Sequence, residues 1–236
     1  ELKTALVNLG YQEAITYSFV SPTFHDLFVP EGEPVEISNP MSTDQSVMRM
    51  SPFPGLVRAL QTNISRQAQS VRLFEHGQCF VANGKTLDQK VLVGGAIWGR
   101  RHPENWTNDA ESVDFFDLKG DVEQLSGVGG RPAEFTAVRH PALHPGQTAA
   151  IHIEGSQIGV LGRLHPELQQ KLDVDGAVYL FECEVDPLTV RRDRRHSEVS
   201  RFPSVRRDLA LLVTRDTLAS DIENCVRGSV GELLTD

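Results

Sequence analysis

Cysteine is scarce in this sequence, and the few that occur are far apart. The 236 residues contain three cysteines, Cys79, Cys183 and Cys225. Their number is odd and no two of them have the spacing of a zinc-ligand pair, so neither a disulfide framework nor a cysteine-based zinc site is expected. We interpret all three as buried or half-buried thiols in a reducing compartment, the cytoplasm.

Long hydrophobic runs are also lacking. No apolar stretch approaches the roughly 20 residues that a membrane-spanning helix needs, so we expect no membrane association. The first ten residues, ELKTALVNLG, lack the basic n-region and apolar core of a signal peptide, which predicts that they are not a targeting segment. The sequence does not begin with Met, and we expect it to be a fragment of a longer protein.

Negative charge dominates, but unevenly. The net charge is −9, and residues 1–190 carry 14 basic against 24 acidic side chains. A surface of that sign repels nucleic acid on average. Residues 191–207, in contrast, contain seven arginines and two acids. This is the one locally basic segment of the chain, and we interpret residues 191–206 as an Arg-rich linker.

Periodicity predicts an α+β fold on a largely antiparallel sheet. Hairpins are frequent and no βαβα rhythm occurs. Helices are expected near 2–9, 22–27, 54–68, 113–127, 165–172 and 218–230, and strands near 14–20, 34–38, 46–50, 71–80, 90–99, 133–138, 148–164 (a hairpin), 177–185 and 206–213. Residues 1–190 would form one domain. Residues 207–236 would begin a second, truncated one, because one strand and one helix cannot bury a core.

Motifs for phosphate or nucleophile chemistry are missing. No Gly-rich loop of the Walker or Rossmann type occurs, and no Gly-x-Ser-x-Gly elbow supports a serine triad. His140 and His144 have zinc-like spacing, but Pro141 and Pro145 interrupt any helix that would present both rings on one face. Because proline also follows His165, we predict turns at these histidines and no metal site.

Six segments, in order along the chain, resemble the β subunit of bacterial phenylalanyl-tRNA synthetases. No one of them is specific, but the ordered set is strong and covers most of the chain. They are LVNLGYQEAITYSFV, NPMSTDQSVMRMSPFPGLVRALQTNISRQ, VRLFEHGQCF, FFDLKGDVEQL, HPGQTAAIHIEGSQIGVLGRLHPEL and SRFPSVRRDLALLV.

The resemblance implies a class II aminoacyl-tRNA synthetase-like core without its own active site in residues 1–190. Residues 207–236 would then be the start of a ferredoxin-like anticodon-binding domain. The implied assembly is an (αβ)2 heterotetramer with a catalytic α subunit, which uses ATP and Mg²⁺ to charge tRNA(Phe) with phenylalanine. No cofactor is expected in this fragment itself.

The stretch VRLFEHGQCF, residues 71–80, is similar to the strand that opens the ATP-binding hairpin of class II synthetases. There the strand runs into Phe-Arg-x-Glu, whereas here the Arg and Glu places read Val81 and Asn83. No Gly-x-Gly-x-x-Arg helix start follows the strand at 177–185, so two cations that stabilise charge at the α-phosphate are missing. We therefore expect no catalytic and no ATP-binding residues, and a fragment that is inactive alone.

Three charged residues near this strand have both a functional and a structural interpretation. Arg72 and Glu75 are interpreted as members of a cross-strand or interface ion pair. Arg49 resembles a substrate-facing strand arginine, but without a phosphate site we interpret it as a packing or interface group. Gly77 is read as permitting a turn after the first residues of the strand.

Helix 54–68 corresponds to a region that builds the dimer interface in class II folds. Its polar residues Arg58, Asn63 and Arg66 would form a rim around an apolar seam with the α subunit. The alternative is a helix that packs on its own sheet and has a solvated outer face. The sequence favours neither.

The basic segment is a candidate for tRNA contact. Arginines that neutralise backbone phosphates would make binding salt-dependent, and Arg201, Arg206 and Arg207 are the candidates. The alternative is a solvated linker whose arginines pair with the acidic domain. For the whole chain, the leading hypothesis is the non-catalytic β-subunit module. A stand-alone amino-acid-activating enzyme and an RNA-binding module without a synthetase partner remain as alternatives.

Overall fold

The computed structural model describes residues 1–83, 86–106, 110–190, 203, 205–231 and 234, with only the backbone at 83. By its internal contacts the chain divides into two units, Glu1–Arg194 and Arg195–Asp236. In the described residues of the first unit the helices are α1 (Leu2–Asn8), α2 (Pro22–Phe28), α3 (Phe53–Ser65), α4 (Phe115–Ser126), α5 (Pro166–Lys171) and α6 (Val185–Thr189). The strands are β1 (Gln12–Glu13), β2 (Phe19–Val20), β3 (Val47–Met48), β4 (Ser70–Asn83), β5 (Thr86–Gly99), β6 (Glu134–Ala137), β7 (Leu143–Ile153), β8 (Ser156–Leu164) and β9 (Val178–Glu184).

One large sheet organises the first unit. Its seven strands lie in the order β1-β4-β5-β9-β8-β7-β6, and β2 pairs separately with β3. The short strand β1 runs parallel to β4, while the other neighbours in the large sheet are antiparallel. The prediction of an α+β domain on a largely antiparallel sheet is confirmed.

Local signals explain several element boundaries. The Ser21 hydroxyl caps α2 by accepting from the Phe24 N–H (3.2 Å), with Pro22 at the first helical position. Asp114 caps α4 and forms a capping box with Asp117. Between β7 and β8 the turn residues Glu154 and Gly155 both have positive φ, as a two-residue hairpin of this kind requires.

Helices cover both faces of the sheet and form two cores. We call the side that packs against α2, α3 and α5 the α3 face, and the side that packs against α1, α4 and α6 the α4 face. On β4, Leu73 belongs to the α3 face and its neighbour Phe74 to the α4 face, as the alternation of a strand requires. Because both faces are buried, the buried stretches 93–97 of β5 and 178–181 of β9 are runs of apolar residues and glycine.

The second unit contains α7 (Ala219–Val230) in its described part. This helix confirms the one predicted near 218–230. The strand predicted over 206–213 is wrong, since described residues 205–214 form no strand. A strand needs a hydrogen-bonding neighbour, and the described residues of this unit offer none. The predicted linker 191–206 lies largely outside the described residues, and the second domain at 207–236 stays a prediction.

Two further strands are shorter than predicted. In the segment 14–20 only β2 is regular, and in the segment 34–38 only Glu36 makes an isolated bridge, to Val47. Both segments are rich in β-forming residues, but a ladder also needs a partner of matching length, and β3 has two residues.

Candidate functional site: a filled sheet face and an exposed apolar surface

The residues before α3 cross the α3 face of the sheet from strand to strand. Arg49 follows β3, and its side chain is 4% exposed. Its Nη1 donates to Glu75 Oε1 at 2.6 Å and to Thr16 Oγ1 at 3.2 Å, and its Nε donates to the carbonyl of Gln78 at 2.9 Å. The arginine is therefore a packed member of the α3 face, in agreement with the interpretation from the sequence.

Glu75 completes this polar cluster. Besides the Arg49 guanidinium, the carboxylate accepts from the Thr16 hydroxyl at 2.8 Å and from the Thr16 N–H at 3.3 Å. The Glu75 side chain is 5% exposed. A buried ion pair is tolerated when its remaining groups find partners, and here Thr16 and the Gln78 carbonyl provide them for Arg49 Nη1, Arg49 Nε and both carboxylate oxygens of Glu75. Arg49 is thus neutralised by the chain itself.

Gly77 has a role that differs from the predicted turn. It lies inside β4, paired with Leu92, and the strand continues to Asn83. A Cβ at Gly77 would lie 2.3 Å from Arg49 Nη2. The glycine therefore provides the space that the guanidinium occupies. The predicted turn was wrong because glycine also occurs where a side chain approaches the backbone closely.

Ser51 and Pro52 continue the crossing over the next two strands. The Ser51 hydroxyl donates to Glu182 Oε2 on β9 at 2.5 Å, and its oxygen accepts from the Phe53 N–H at 3.1 Å. Pro52 lies over Gly94 of β5, where a Cβ would be 2.6 Å from the proline Cγ. The segment 49–53 therefore fills the face above β4, β5 and β9.

Arg72 and Glu75 are each in an ion pair, but not with each other. Three positions apart on one strand, their side chains point to opposite faces. On the α4 face, Arg72 Nη1 lies 2.7 Å from Asp121 Oδ2, and its guanidinium lies over the Tyr11 ring. The Tyr11 hydroxyl donates to the same carboxylate, and burial together with that carboxylate raises the pKa of Tyr11.

The places that hold cations in class II enzymes have different neighbours here. Val81 is a half-buried residue of β4 paired with Asp88. After β9 the chain enters α6, whose sequence VDPLT contains no glycine. Neither place has a positively charged side chain that could contact a phosphate. The stabilisation of charge on the α-phosphate that a catalytic domain needs therefore has no residue to provide it.

The three histidines each make a local side-chain to backbone contact, but the predicted turn is wrong for His144, which lies in β7, and for His165, which is the N-cap of α5. The Nδ1 atoms of His140, His144 and His165 each accept the backbone N–H two residues later, across the intervening proline. One ring nitrogen of each is thereby engaged. In the part of the chain that the structure describes, no cluster of three metal-ligating side chains occurs.

The cysteines are free. Cys79 and Cys183 are buried, and Cys225 is exposed, so the expectation of three buried or half-buried thiols is wrong for Cys225, which lies on the solvated helix α7. Burial raises the pKa of the Cys79 thiol to about 12, and it raises the pKa of Cys183 as well. Neither buried thiol is a nucleophile near neutral pH.

The candidate interface residues of α3 have unequal environments. Arg58 is exposed, with its guanidinium 5.3 Å from the centre of the Phe24 ring. Asn63 is half-buried and donates to the carbonyl of Ala59 in its own helix. Arg66 is exposed at the C-terminal end of α3. Arg58 alone of the three lies beside an exposed apolar surface.

That surface was missed by the sequence analysis. Ile15 is 91% exposed and Tyr17 69% exposed, and with Phe19, Phe24 and Arg58 they line a groove of about 240 Å³. We call this set of five residues the apolar surface. The alternation of Ile15, Tyr17 and Phe19 was visible in the sequence. The sequence alone does not indicate which side of this segment packs against the protein. In the structure Thr16 points inward and donates to Glu75, so its neighbours Ile15 and Tyr17 point to solvent.

The tRNA-contact candidates are only partly within the described residues. Arg206 and Arg207 are exposed, and Arg201 lies outside the described residues.

The described helices include none that is both long and apolar enough to cross a bilayer.

Comparison with known proteins identifies the family. Residues 1–185 match the model of the phenylalanyl tRNA synthetase beta chain CLM domain. The chain belongs to that family. Curated relatives carry the same description: the phenylalanine–tRNA ligase beta subunit of Pseudomonas putida is 48% identical over all of this chain, and that of Yersinia pestis is 44% identical over 94% of it. The resemblance to the β subunit is confirmed.

The match covers part of each relative only. The chain spans 30% of the Pseudomonas putida protein and 28% of the Yersinia pestis protein. Among solved structures, a pyrrolysyl tRNA synthetase from Desulfitobacterium hafniense, PylSc, has a TM-score of 0.59 at 14% identity, covering 79% of this chain and 62% of that one. The predicted class II synthetase-like fold of the first unit is confirmed at the level of architecture.

Proposed function

We propose that this chain is the non-catalytic core module of a phenylalanine–tRNA ligase β subunit. In this role it supports the catalytic α subunit and the binding of tRNA(Phe) during ATP-dependent charging with phenylalanine. The observation that carries the proposal is the filled α3 face: Arg49, which resembles a substrate-facing arginine, is buried against Glu75. The names of the curated relatives also support it.

The loss of cations accounts for the proposed inactivity. An adenylate-forming site must stabilise charge on the α-phosphate as pyrophosphate leaves, and each well-placed cation lowers the barrier by about 3 kcal/mol. With Val81 at one place and α6 at the other, two such contributions are lost, so the barrier rises by about 6 kcal/mol, equivalent to roughly four powers of ten in rate. ATP and Mg²⁺ would act on the α subunit.

The test is ATP–pyrophosphate exchange by the purified chain, with phenylalanine and with a pool of the other amino acids. We expect no exchange by the chain alone, and exchange with phenylalanine once the α subunit is supplied. Exchange by the chain alone would instead support the stand-alone enzyme. Salt-sensitive RNA binding without affinity for an α subunit would support the RNA-binding module.

We infer that the α subunit binds at the apolar surface. Exposed large apolar side chains grouped around one groove are typical of protein–protein contacts. Arg58 at the edge fits the polar rim of such a contact. We therefore assign Arg58 to the rim of this contact because it lies beside Ile15 and Tyr17, and we keep Asn63 and Arg66 as further rim candidates. The (αβ)2 stoichiometry and the cytoplasmic location are part of the same proposal.

The second unit is proposed to be the start of a ferredoxin-like anticodon-binding domain that follows an Arg-rich linker. In this proposal Arg201, Arg206 and Arg207 contact tRNA phosphates, supported by the exposure of Arg206 and Arg207. The variant with Arg206→Ala and Arg207→Ala should bind tRNA more weakly and with a salt slope reduced by about 2. Arg227→Ala, on the exposed face of α7, is the matched control. Unchanged affinity and slope would remove the phosphate contacts from the proposal.

A further inference from the structure

A polar groove lies beside the filled part of the sheet. Its volume is about 500 Å³, and it lies where β5, β9 and β8 meet the segment 138–140. That size is within the range of small-molecule sites. The charged and polar residues that line it include Lys90, Arg139, His140, Glu182 and Glu184.

Glu182 provides an acidic group at this groove. Its carboxylate is held by the Ser51 hydroxyl through Oε2 at 2.5 Å. In the described part of the chain, no lysine, arginine or histidine forms an ion pair with it. Burial raises the pKa of Glu182 to about 7, while the Ser51 hydrogen bond acts in the opposite direction. A carboxylate in this setting gains from a ligand that brings a positive charge.

Arg139 provides the complementary cation. Lys90 lies 2.6 Å from Glu184 and is therefore already paired. Arg139 is exposed and has no ion pair with any carboxylate among the described residues. An unpaired guanidinium at a groove is suited to bidentate contact with a carboxylate.

His140 is fixed beside the arginine. Its Nδ1 accepts the N–H of Ala142 at 3.2 Å, and its ring packs edge-on against Phe53. Burial lowers the pKa of His140, so the ring is mainly neutral near pH 7 and carries its proton on Nε2. The ring can add a neutral hydrogen-bond donor without adding charge.

The remaining wall is aliphatic. Leu92, Val138, Ile158 and Val160 line the same groove. A site that combines an acid, an unpaired guanidinium and branched aliphatic side chains matches a small zwitterion with a short apolar substituent.

We propose that this groove binds a small aliphatic α-amino acid. Its ammonium group lies against Glu182, its carboxylate against Arg139, and its side chain against Leu92, Val138 and Val160. This inference does not rest on the proposed function, because it uses only the groups that line the groove.

The experiment measures L-valine binding by isothermal titration calorimetry to the full-length protein in its native assembly. Glu182→Gln and Arg139→Gln are each expected to weaken binding by about tenfold or more, the loss of one charge-assisted contact. Glu182→Gln can still accept from Ser51, so the fold is preserved. Glu167→Gln and Arg227→Gln, both exposed and outside the groove, are the matched controls and should bind as the parent does.

Two further arms distinguish recognition of each charge. Isobutylamine and isovalerate, which each lack one of the two charged groups of valine, should bind more weakly than valine. The affinity for isovalerate, which has no ammonium group, should not be lowered by Glu182→Gln. The affinity for isobutylamine, which has no carboxylate, should not be lowered by Arg139→Gln.

The pH dependence of valine affinity distinguishes direct contact with Glu182 from a purely structural role of this residue, which would not change the affinity with pH. Because Glu182 must be ionised to hold an ammonium, affinity should rise by up to about tenfold between about pH 6 and pH 8, and the rise should disappear in Glu182→Gln. Glu184 is paired with Lys90 and His140 is mainly neutral, so neither should replace this dependence. Absence of saturable valine binding, or binding that neither substitution weakens, would overturn the proposal.

Discussion

The pair Arg49–Glu75 shows how single residues determine what the α3 face can do. The guanidinium and the carboxylate are both buried, and both also hydrogen-bond to Thr16 or to the Gln78 carbonyl. Removing both charges together is often close to neutral for stability, whereas removing one leaves the other buried without a partner. The pair therefore fixes the crossing of segment 49–53 more than it adds net stability.

Glu75→Gln is expected to lower the free energy of unfolding by about 3 kcal/mol, because Arg49 would remain charged in a buried place. Chemical denaturation measures this change. Lys3→Gln removes one member of the exposed pair Lys3–Glu13 and should change stability by no more than about 1 kcal/mol. A combined Arg49→Met and Glu75→Leu variant should recover part of the loss. Equal small effects for Glu75→Gln and Lys3→Gln would contradict the assignment.

Glu182 makes the stability of the first unit depend on pH in a direction opposite to that of most carboxylates. Its pKa is raised from 4.5 to about 7 in the folded protein, so the native state binds more protons than the unfolded state between these values. Stability should therefore fall as pH rises from about 4.5 to about 7 and remain lower above that.

Glu182→Gln should remove this dependence. The variant and the parent should have similar stability near pH 5, where the carboxyl is protonated, and the variant should be more stable near pH 8 by at most about 3 kcal/mol. Thermal unfolding over this pH series measures the difference, and Glu167→Gln serves as the control for loss of an exposed charge. If the stability of parent and variant changed with pH in parallel, ionisation of Glu182 would not destabilise the folded protein, and the prediction would be wrong.

For single residues, the sequence indicated which charged side chains are paired or packed, but it did not indicate their partners. It marked Arg49, Arg72 and Glu75 as paired or packed groups, which the structure confirms. It could not assign their partners, because Asp121 lies 49 positions after Arg72 and reaches it only through the packing of α4 on the sheet. Long-range pairs follow from tertiary packing, which no local pattern contains.

Among the elements, the hairpin β4–β5 and helix α3 are joined through two glycines. Gly77 leaves room for Arg49 and Gly94 leaves room for Pro52. Both glycines have neighbours closer than any real Cβ contact would allow, so the first turn of α3 can approach the sheet only because these side chains are missing. The hairpin therefore positions the helix.

Gly94→Ala and Gly77→Ala should each destabilise the first unit by about 1–3 kcal/mol through overpacking. Gly120→Ala is the matched control: this glycine lies inside α4 with no atom within 4 Å of the position that a Cβ would take, and alanine should stabilise the helix by about 0.5–1 kcal/mol. Denaturation midpoints measure all three. If Gly94→Ala proved as harmless as Gly120→Ala, the close packing of Pro52 on β5 would be disproved.

The elements themselves could be predicted where the signal was long and periodic. Helix α3 and the strands β4, β5, β8 and β9 lie where the apolar periodicity indicated. The strand expected over 206–213 failed, although LALLV has the right residues, because strand formation depends on a neighbour and not on composition. The short strands at 14–20 and 34–38 were overestimated for the same reason.

At the scale of the whole first unit, helices bury both faces of the sheet, whereas the apolar surface stays exposed to solvent. Ile15, Tyr17 and Phe19 point away from Thr16, which is anchored to Glu75. The sequence predicted Arg58 in the polar rim of an interface along α3. Arg58 lies at the edge of the apolar surface, where a rim residue would lie, and the interface itself stays a prediction.

The apolar surface should therefore govern assembly without governing folding. A variant with Ile15→Asp and Tyr17→Ser is expected to weaken association with the α subunit by at least about tenfold, since apolar and aromatic anchors carry most of the energy of such contacts. Its thermal stability should be nearly unchanged, because both side chains are already solvated in the isolated chain. Sedimentation velocity of the mixed subunits measures the association.

Phe116→Ser provides the matched control for this experiment. Phe116 is an exposed aromatic residue at the start of α4, on a different part of the first unit from the apolar surface. If exposure of any large apolar side chain promoted association, both variants would weaken it equally. Weakening by the Ile15 and Tyr17 substitutions alone would place the α subunit at the apolar surface, whereas weakening by Phe116→Ser alone would move the contact to α4 and leave Arg58 outside it.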